Sequence, residues 1–195
     1  SYSKFLIQNG AENADMSAFR DIPETDKDNY IKRFNTEERC VNGIIPRFNT
    51  VIDESSGSTG TPHNWVRSLE ERLVSHLFVS HFVRYCFGAP SRLITINAFS
   101  MGSWATGLNM GLSLQNNGIV KNIGPDLDKI LHTLQFFGPS YTYLICGYPP
   151  FLKHLIDEAT AKNFPFQEYT LLGLVGGEGM SEGLRDYLLT RFKEV

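Results

Sequence analysis

Cysteine is scarce in this chain: Cys40, Cys86 and Cys146 are odd in number, far apart and never arranged as C-x-x-C. Neither a disulfide framework nor a cysteine zinc site is indicated, and free, buried thiols are expected. The five histidines include no H-E-x-x-H, and His76 and His81, five apart, fall on different faces of any helix. Packing or surface roles are expected of them, and no residue is named as a metal ligand. No apolar run approaches the roughly 20 residues of a membrane span, and residues 1–20 lack a signal-peptide core. The expected compartment is therefore the cytoplasm, with no membrane partner. Basic side chains are few and dispersed, 18 against 21 acidic ones for a net charge of −3. With no basic stripe, nucleic acid is not expected as a partner. Fixed-period repeats, low-complexity tracts and charge runs are also lacking.

What is present is the composition of an ordinary globular domain, 42% hydrophobic and 20% charged. A length of 195 residues allows one substantial core and is too short to promise two. Residues 1–50 read as a polar, proline-broken lead-in with one helix over 25–39, which Asp26 can cap and Asp28 can follow in the first turn. From residue 51 to 195, short β-rich runs alternate with amphipathic stretches and glycine stops, which predicts an α/β fold with a mostly parallel sheet. Strands are expected at 63–67, 92–98, 119–123, 141–146 and 169–175. Helices are expected at 68–88, 104–115, 125–137, 149–162 and 181–192. The first of these helices starts with an S-x-x-E capping box at Ser68 and Glu71, and Leu69, Leu73, Leu77 and Val83 are expected to form its buried stripe. The chain begins at Ser1 and closes on TRFKEV with neither capping glycine nor return strand, as part of a longer polypeptide is expected to do.

Residues 54–62, ESSGSTGTP, contain no apolar side chain except the closing proline. A flexible linker has this composition. An anion-binding loop also has it, since Ser55, Ser56, Ser58 and Thr59 offer hydroxyls while Gly57 and Gly60 let backbone N–H groups turn toward one anion. It is not a Walker A loop, because position 63 is His and G-x-x-x-x-G-K-[ST] is absent. The loop carries no cation of its own, so magnesium and basic groups from elsewhere would have to neutralise a polyphosphate.

Ser55-Ser56-Gly57-Ser58-Thr59-Gly60-Thr61-Pro62 resembles the phosphate-binding signature of the acyl-adenylate-forming enzymes, [ST]-S-G-[ST]-T-G-x-P. Two further segments resemble the phenylacetate-CoA ligase branch: Pro23-Glu24-Thr25-Asp26-Lys27 its P-x-T-x-K lead-in, and Gly176-Gly177-Glu178 with Ser181-Glu182-Gly183-Leu184-Arg185 its G-[AG]-E loop and following helix. The resemblance spans roughly residues 23–192 and only the N-terminal part of a family member. The family's later magnesium-binding glutamate, ribose-binding aspartate and C-terminal domain with its catalytic lysine have no counterpart in these residues. It implies ATP, Mg2+ and coenzyme A as cofactor or co-substrates and a small carboxylic acid as substrate. Ser55, Ser56, Gly57, Ser58, Thr59 and Gly60 would hold the β- and γ-phosphates, with Ser58 and Thr59 as catalytic candidates. Gly176, Gly177, Glu178 and Gly179 would border the adenine. The implied reaction forms an acyl-adenylate and then a thioester, mostly by positioning and charge stabilisation.

Asn97-Ala98-Phe99-Ser100-Met101-Gly102-Ser103-Trp104 follows a predicted strand and mixes aromatic with small residues. Such a cluster is core or acyl pocket. The resemblance implies the pocket, which makes Phe99, Gly102, Trp104 and, at the Tyr148-Pro149-Pro150 turn, Tyr148 substrate-binding candidates. Gly179-Met180-Ser181-Glu182-Gly183 is a formal G-x-S-x-G, but no histidine follows His154 to complete a triad, and Ser181 reads better as a helix N-cap. An acyl-protein synthetase of the same superfamily, a nucleotide-binding domain without catalysis and a serine hydrolase using Ser181 stand as alternatives. The oligomeric state and the particular acid are left open.

Overall fold

The computed structural model describes residues 1–13, 15, 19–55 and 62–195. Five phosphate-binding candidates, Ser56, Gly57, Ser58, Thr59 and Gly60, lie outside the described residues. The chain divides into two compact units, residues 1–70 and 71–195.

In the first unit a helix, α1 (Tyr2–Gln8), stands where a plain lead-in was expected. It buries Phe5, whose ring meets Tyr30 edge-on at 5.5 Å, and Tyr30 in turn meets Phe34 at 5.3 Å. Asp26 caps as expected, its carboxylate accepting from the backbone N–H groups of Asp28 and Asn29. The helix expected over 25–39 is nevertheless a single π-helical turn, Lys27–Ile31. Asn35 ends it by starting a turn of its own: its side chain accepts from Glu38 N while Glu38 accepts from Asn35 N. Local side-chain bonds of this kind compete with helix propagation. Strands β1 (Thr50–Glu54) and β2 (Asn64–Ser68) pair antiparallel, from Thr50 opposite Ser68 to Glu54 opposite Asn64. The nine residues between them, 55–63, are fewer than a parallel crossover requires. The pairing continues one step into the connection, where Ser55 N donates to His63 O and His63 N donates to Ser55 Oγ.

The second unit holds a four-stranded parallel sheet. Its strands are β3 (Leu93–Asn97), β4 (Ile119–Asn122), β5 (Thr142–Gly147) and β6 (Thr170–Val175), in the order β4-β3-β5-β6. Every residue of β3 is buried, as parallel strands covered on both faces require. On one face lie α2 (Leu69–Phe87), which enters from the first unit, and α3 (Ala105–Leu114), packing Val83 and Leu114 on Leu93, Leu144, Cys146 and Leu172. On the other lie α4 (Leu127–Phe137), α5 (Pro149–Ala161) and α6 (Glu182–Leu189), which enclose Ile94, Ile96, Tyr143, Ile145 and Leu171 with Ile130, Leu134, Leu152, Leu155 and Leu188. Helix α4 starts later than expected: Pro125 does not open it, and Asp126 is its N-cap, accepting from Lys129 N. Helix α6 ends earlier than expected. The chain then turns so that Lys193 N donates to Leu171 O and Gly173 N donates to Glu194 O, laying the final residues parallel to β6.

Two further expectations differ from the structure. In α2, Val83 is buried, but Leu69, Leu73 and Leu77 are exposed, Leu73 by 54%. The inward positions are Arg72, His76, Ser80 and Val83, because polar side chains of that face find partners: Ser80 Oγ donates to Asn117 Oδ1, and Asn117 Nδ2 donates to Ser80 O. Of the three free thiols only Cys146 is buried, while Cys86 is exposed and Cys40 half-buried. Burial in the apolar layer pushes the Cys146 thiol pKa far up.

Candidate functional site

Helices following parallel strands place the intervening loops at the carboxyl edge of the sheet, and the crevice opens where successive connections run to opposite sides. Here the chain passes from β3 outward to β4, then crosses back to β5. The loops after β3 and β5 therefore flank the switch point, and Phe99 and Tyr148 sit at their beginnings. Their rings meet edge-on, centroids 5.4 Å apart. The loop after β6 joins them. An ideal Cβ on Gly176 would touch Phe99 Cζ at 3.9 Å, and one on Gly177 would overlap the Tyr148 ring. Gly176 N also donates to Gly147 O at 3.4 Å, tying the β6 loop to the end of β5.

One buried side chain organises this edge. Asn97, the last residue of β3, donates through Nδ2 to Gly107 O (2.7 Å) and to Asn122 Oδ1 (2.8 Å), and its Oδ1 accepts from Phe99 N. Its carbonyl accepts from both Ile123 N and Gly124 N. The exits of β3 and β4 and the first turn of α3 are thus held by a single residue. Helix α3 presses close upon it, since a Cβ on Gly107 would overlap the Ser100 carbonyl and one on Gly111 would overlap the Asn122 amide. Neither glycine was singled out from the sequence, although Asn97, an amide closing a strand of Leu, Ile and Thr, was the signal that could have pointed to this network.

Of the predicted site residues, Phe99, Tyr148, Gly176 and Gly177 come together. Phe99 is 1% exposed and belongs to the core on the α2 and α3 face, and its ring backs that of Tyr148, which is half-buried. Glu178 and Gly179 follow in the same loop and are exposed. Gly102, at φ +104°, has nothing within 4 Å of a Cβ position. Trp104 is half-buried at the N-cap position of α3, and among the described residues no ring contact joins it to Phe99 or Tyr148. Ser55 lies in the first unit, paired with His63. Ser181 Oγ accepts from Leu184 N at 3.3 Å as the N-cap of α6. Among the described residues no group of three His, Cys, Asp or Glu side chains is arranged to hold a metal ion. No helix among them is long and apolar enough to cross a membrane.

A second polar cluster, which the sequence did not reveal, lies between α2 and α3. Arg72 and His76 are 7% and 9% exposed, and both donate to one oxygen of α3. Asn109 Oδ1 accepts from Arg72 Nε at 3.0 Å, from Arg72 Nη2 at 2.8 Å and from His76 Nε2 at 3.0 Å. Asn109 Nδ2 donates to Ala105 O, folding the amide back onto the first turn of α3.

No protein-family model matches the chain, and no curated protein matches it. Solved structures do. The chain is similar to 2-hydroxyisobutyryl-CoA ligase in complex with 2-HIB-AMP and CoA in the thioesterification state, with a TM-score of 0.77 at 14% identity over 99% of this chain and 43% of that one. An open conformation of the same ligase in complex with 2-HIB-AMP and CoA gives a TM-score of 0.70 at 11% identity, over 99% of this chain and 48% of that one. The chain thus spans less than half the length of these neighbours. What the likeness shows is the fold, that of part of a domain of an adenylate-forming CoA ligase.

Proposed function

We propose that this chain is the N-terminal, nucleotide- and acyl-binding part of an enzyme that activates an aryl or acyl carboxylic acid with ATP and transfers it to coenzyme A. The observation that carries the reading is the coincidence of an ordered signature, Ser55 to Pro62, with a fold shared with ligases whose structures hold an acyl-AMP and CoA. The P-x-T-x-K segment at Pro23 and the Gly176-Gly177-Glu178 loop favour the phenylacetate-CoA ligase branch. In this reading the amides and hydroxyls of Ser55, Ser56, Gly57, Ser58, Thr59 and Gly60 bind the β- and γ-phosphates. Gly176, Gly177, Glu178 and Gly179 border the adenine, and Tyr148, backed by Phe99, walls the acyl side with Gly102 and Trp104.

A carboxylate oxygen attacks the α-phosphorus and pyrophosphate departs. The thiolate of coenzyme A then attacks the acyl carbon and AMP departs. Magnesium would supply charge neutralisation on the phosphates. The described residues do not bring together a donor set of His, Cys, Asp and Glu side chains for it. The capping bond at Ser181, its exposure, and the five residues 176–180 between it and the end of β6 tell against a hydrolase.

The test is run on the complete polypeptide, because the family's catalytic lysine has no counterpart in these residues: pyrophosphate exchange into ATP with a panel of aryl and acyl acids, followed by thioester formation with coenzyme A. Acid-dependent exchange that disappears when Ser58 and Thr59 are replaced by Ala supports the reading. ATP binding without exchange for any acid reduces the protein to a nucleotide-binding module.

A further inference from the structure

We infer that Arg72, with His76 and Asn109, forms an oxyanion subsite between the first turns of α2 and α3, taking the phosphate or carboxylate group of a ligand. A guanidinium is ionised at any physiological pH, and Arg72 is 7% exposed. Its hydrogen bonds all go to a neutral acceptor, Asn109 Oδ1. Among the described residues no carboxylate pairs with it, although Glu70 and Glu71 stand exposed in the same turn of α2. A buried cation without an anion is costly.

Its location adds to that cost. Arg72 is the fourth residue of α2, in the first turn, where the aligned peptide dipoles leave the helix end partly positive. The amide it binds is folded onto Ala105, the first residue of α3, a ten-residue helix with no side-chain cap. A positive side chain is therefore held between two positive helix ends, a placement that favours an anion and disfavours the bare cation.

The stoichiometry of hydrogen bonds points the same way. Three donors converge on one amide oxygen, which has two lone pairs. Arg72 Nη1 makes no hydrogen bond among the described residues and is not one of their buried unsatisfied atoms, so it is open to a ligand, and adjacent guanidinium N–H groups match two oxygens of a carboxylate or phosphate. His76 must carry its proton on Nε2 to reach Asn109, and it thereby holds the amide with its oxygen toward the guanidinium. Because helix N-termini of a parallel α/β unit lie at the carboxyl edge of the sheet, the cluster sits on the ligand side of the fold.

The proposal rests on the adenylate-forming reading only for which ligand supplies the oxyanion. Its test uses simple anions and the full chain. Inorganic pyrophosphate, inorganic phosphate and acetate are titrated calorimetrically, with melting temperature followed in parallel, against the parent, Arg72→Gln, Arg72→Lys and Asn109→Asp. The expected result is anion binding by the parent that weakens at least roughly tenfold in Arg72→Gln, with Arg72→Lys intermediate because the fork is lost and the charge kept. Asn109→Asp is the decisive variant should Arg72→Gln fail to fold. It places a carboxylate where the ligand's charge is needed, so it should melt higher than the parent without anion and lose the anion-induced shift. Tighter binding of pyrophosphate than of acetate identifies a phosphate group as the occupant, and the reverse identifies a carboxylate. Anion binding unaltered by Arg72→Gln and Asn109→Asp, or no anion binding by the parent, overturns the proposal. Arg72-dependent anion binding in a protein with no acid-dependent pyrophosphate exchange would leave the subsite standing and remove the ligase reading.

Discussion

The ring of Tyr148 occupies the space in which a side chain on Gly177 would lie: an ideal Cβ there would stand 2.8 Å from Tyr148 Cδ1 and closer still to Cε1. The β6 loop and the β5 loop are thus fitted to each other on one side of the switch point, and Phe99, from the β3 loop on its other side, meets the Tyr148 ring edge-on.

Gly177 also has φ +88°, in the left-handed region that penalises a Cβ. Gly177→Ala must therefore strain the backbone and displace Tyr148, at a cost of about 1–3 kcal/mol. Gly179→Ala, in the same loop with nothing within 4 Å of its Cβ, should change stability by no more than about 0.5 kcal/mol. Urea denaturation of the two variants separates them, and near-ultraviolet circular dichroism should change for the first alone. Equal effects would show that the ring does not depend on Gly177.

Ser58→Ala combined with Thr59→Ala should weaken ATP binding measured by calorimetry. Hydrogen bonds to a charged phosphate are worth about 1.5–3 kcal/mol each, so a loss of two orders of magnitude or more is anticipated. Unchanged affinity would remove the phosphate assignment from this loop.

Ser181→Ala deletes the acceptor for Leu184 N and should cost about 1 kcal/mol of stability. Thioester formation by the complete enzyme should be retained. A fluorophosphonate probe that labels Ser181 would revive the hydrolase.

Tyr143 is buried in the layer under α4 and α5 and donates its hydroxyl hydrogen to Gly138 O at 2.7 Å. Burial, and then the neighbouring phenols of Tyr169 and Tyr141, push its pKa up to about 12. Because the folded value exceeds the unfolded one of about 10, the neutral phenol's contribution to stability is complete below about pH 10. It declines as the pH rises and is lost above about pH 12. Tyr143→Phe should cost about 1 kcal/mol at neutral pH and show a shallower alkaline decline of the urea midpoint across that interval. Parallel alkaline limbs for parent and variant would show that the hydroxyl does not titrate with unfolding.

The alternation of strands and helices from residue 93 onward was legible because each strand is a short β-branched or leucine-rich run and the helices, except for the end of α6, are bounded by local start or stop residues. Ile94 and Ile96, Tyr143 and Ile145, and the capping residues Gly138 and Ser181 announce their roles locally. Helix α2 was legible as a helix and illegible in its orientation. Leu69, Leu73 and Leu77 recur every four residues, but so do Arg72, His76 and Ser80, and periodicity alone cannot say which stripe is inside. The partners that decide it, Asn109 and Asn117, lie some thirty-odd residues away in sequence. Likewise the short turn at Lys27–Ile31 was capped as its sequence suggests, but Asn35 restarted the chain through a bond that propensity does not register.

For the site, the amino-acid order by itself determined the candidate loops, since hydroxyl and glycine spacing at 55–60 and glycine spacing at 176–179 are properties of adjacent residues. Only the tertiary structure decided that the loop beginning at Gly176 meets Tyr148 and Phe99, that Asn97 holds three chain segments together, and that a buried arginine faces a neutral amide. Those are contacts between residues brought together by strand order, and strand order depends on the packing of both faces of the sheet at once, a global minimum that no local stretch encodes.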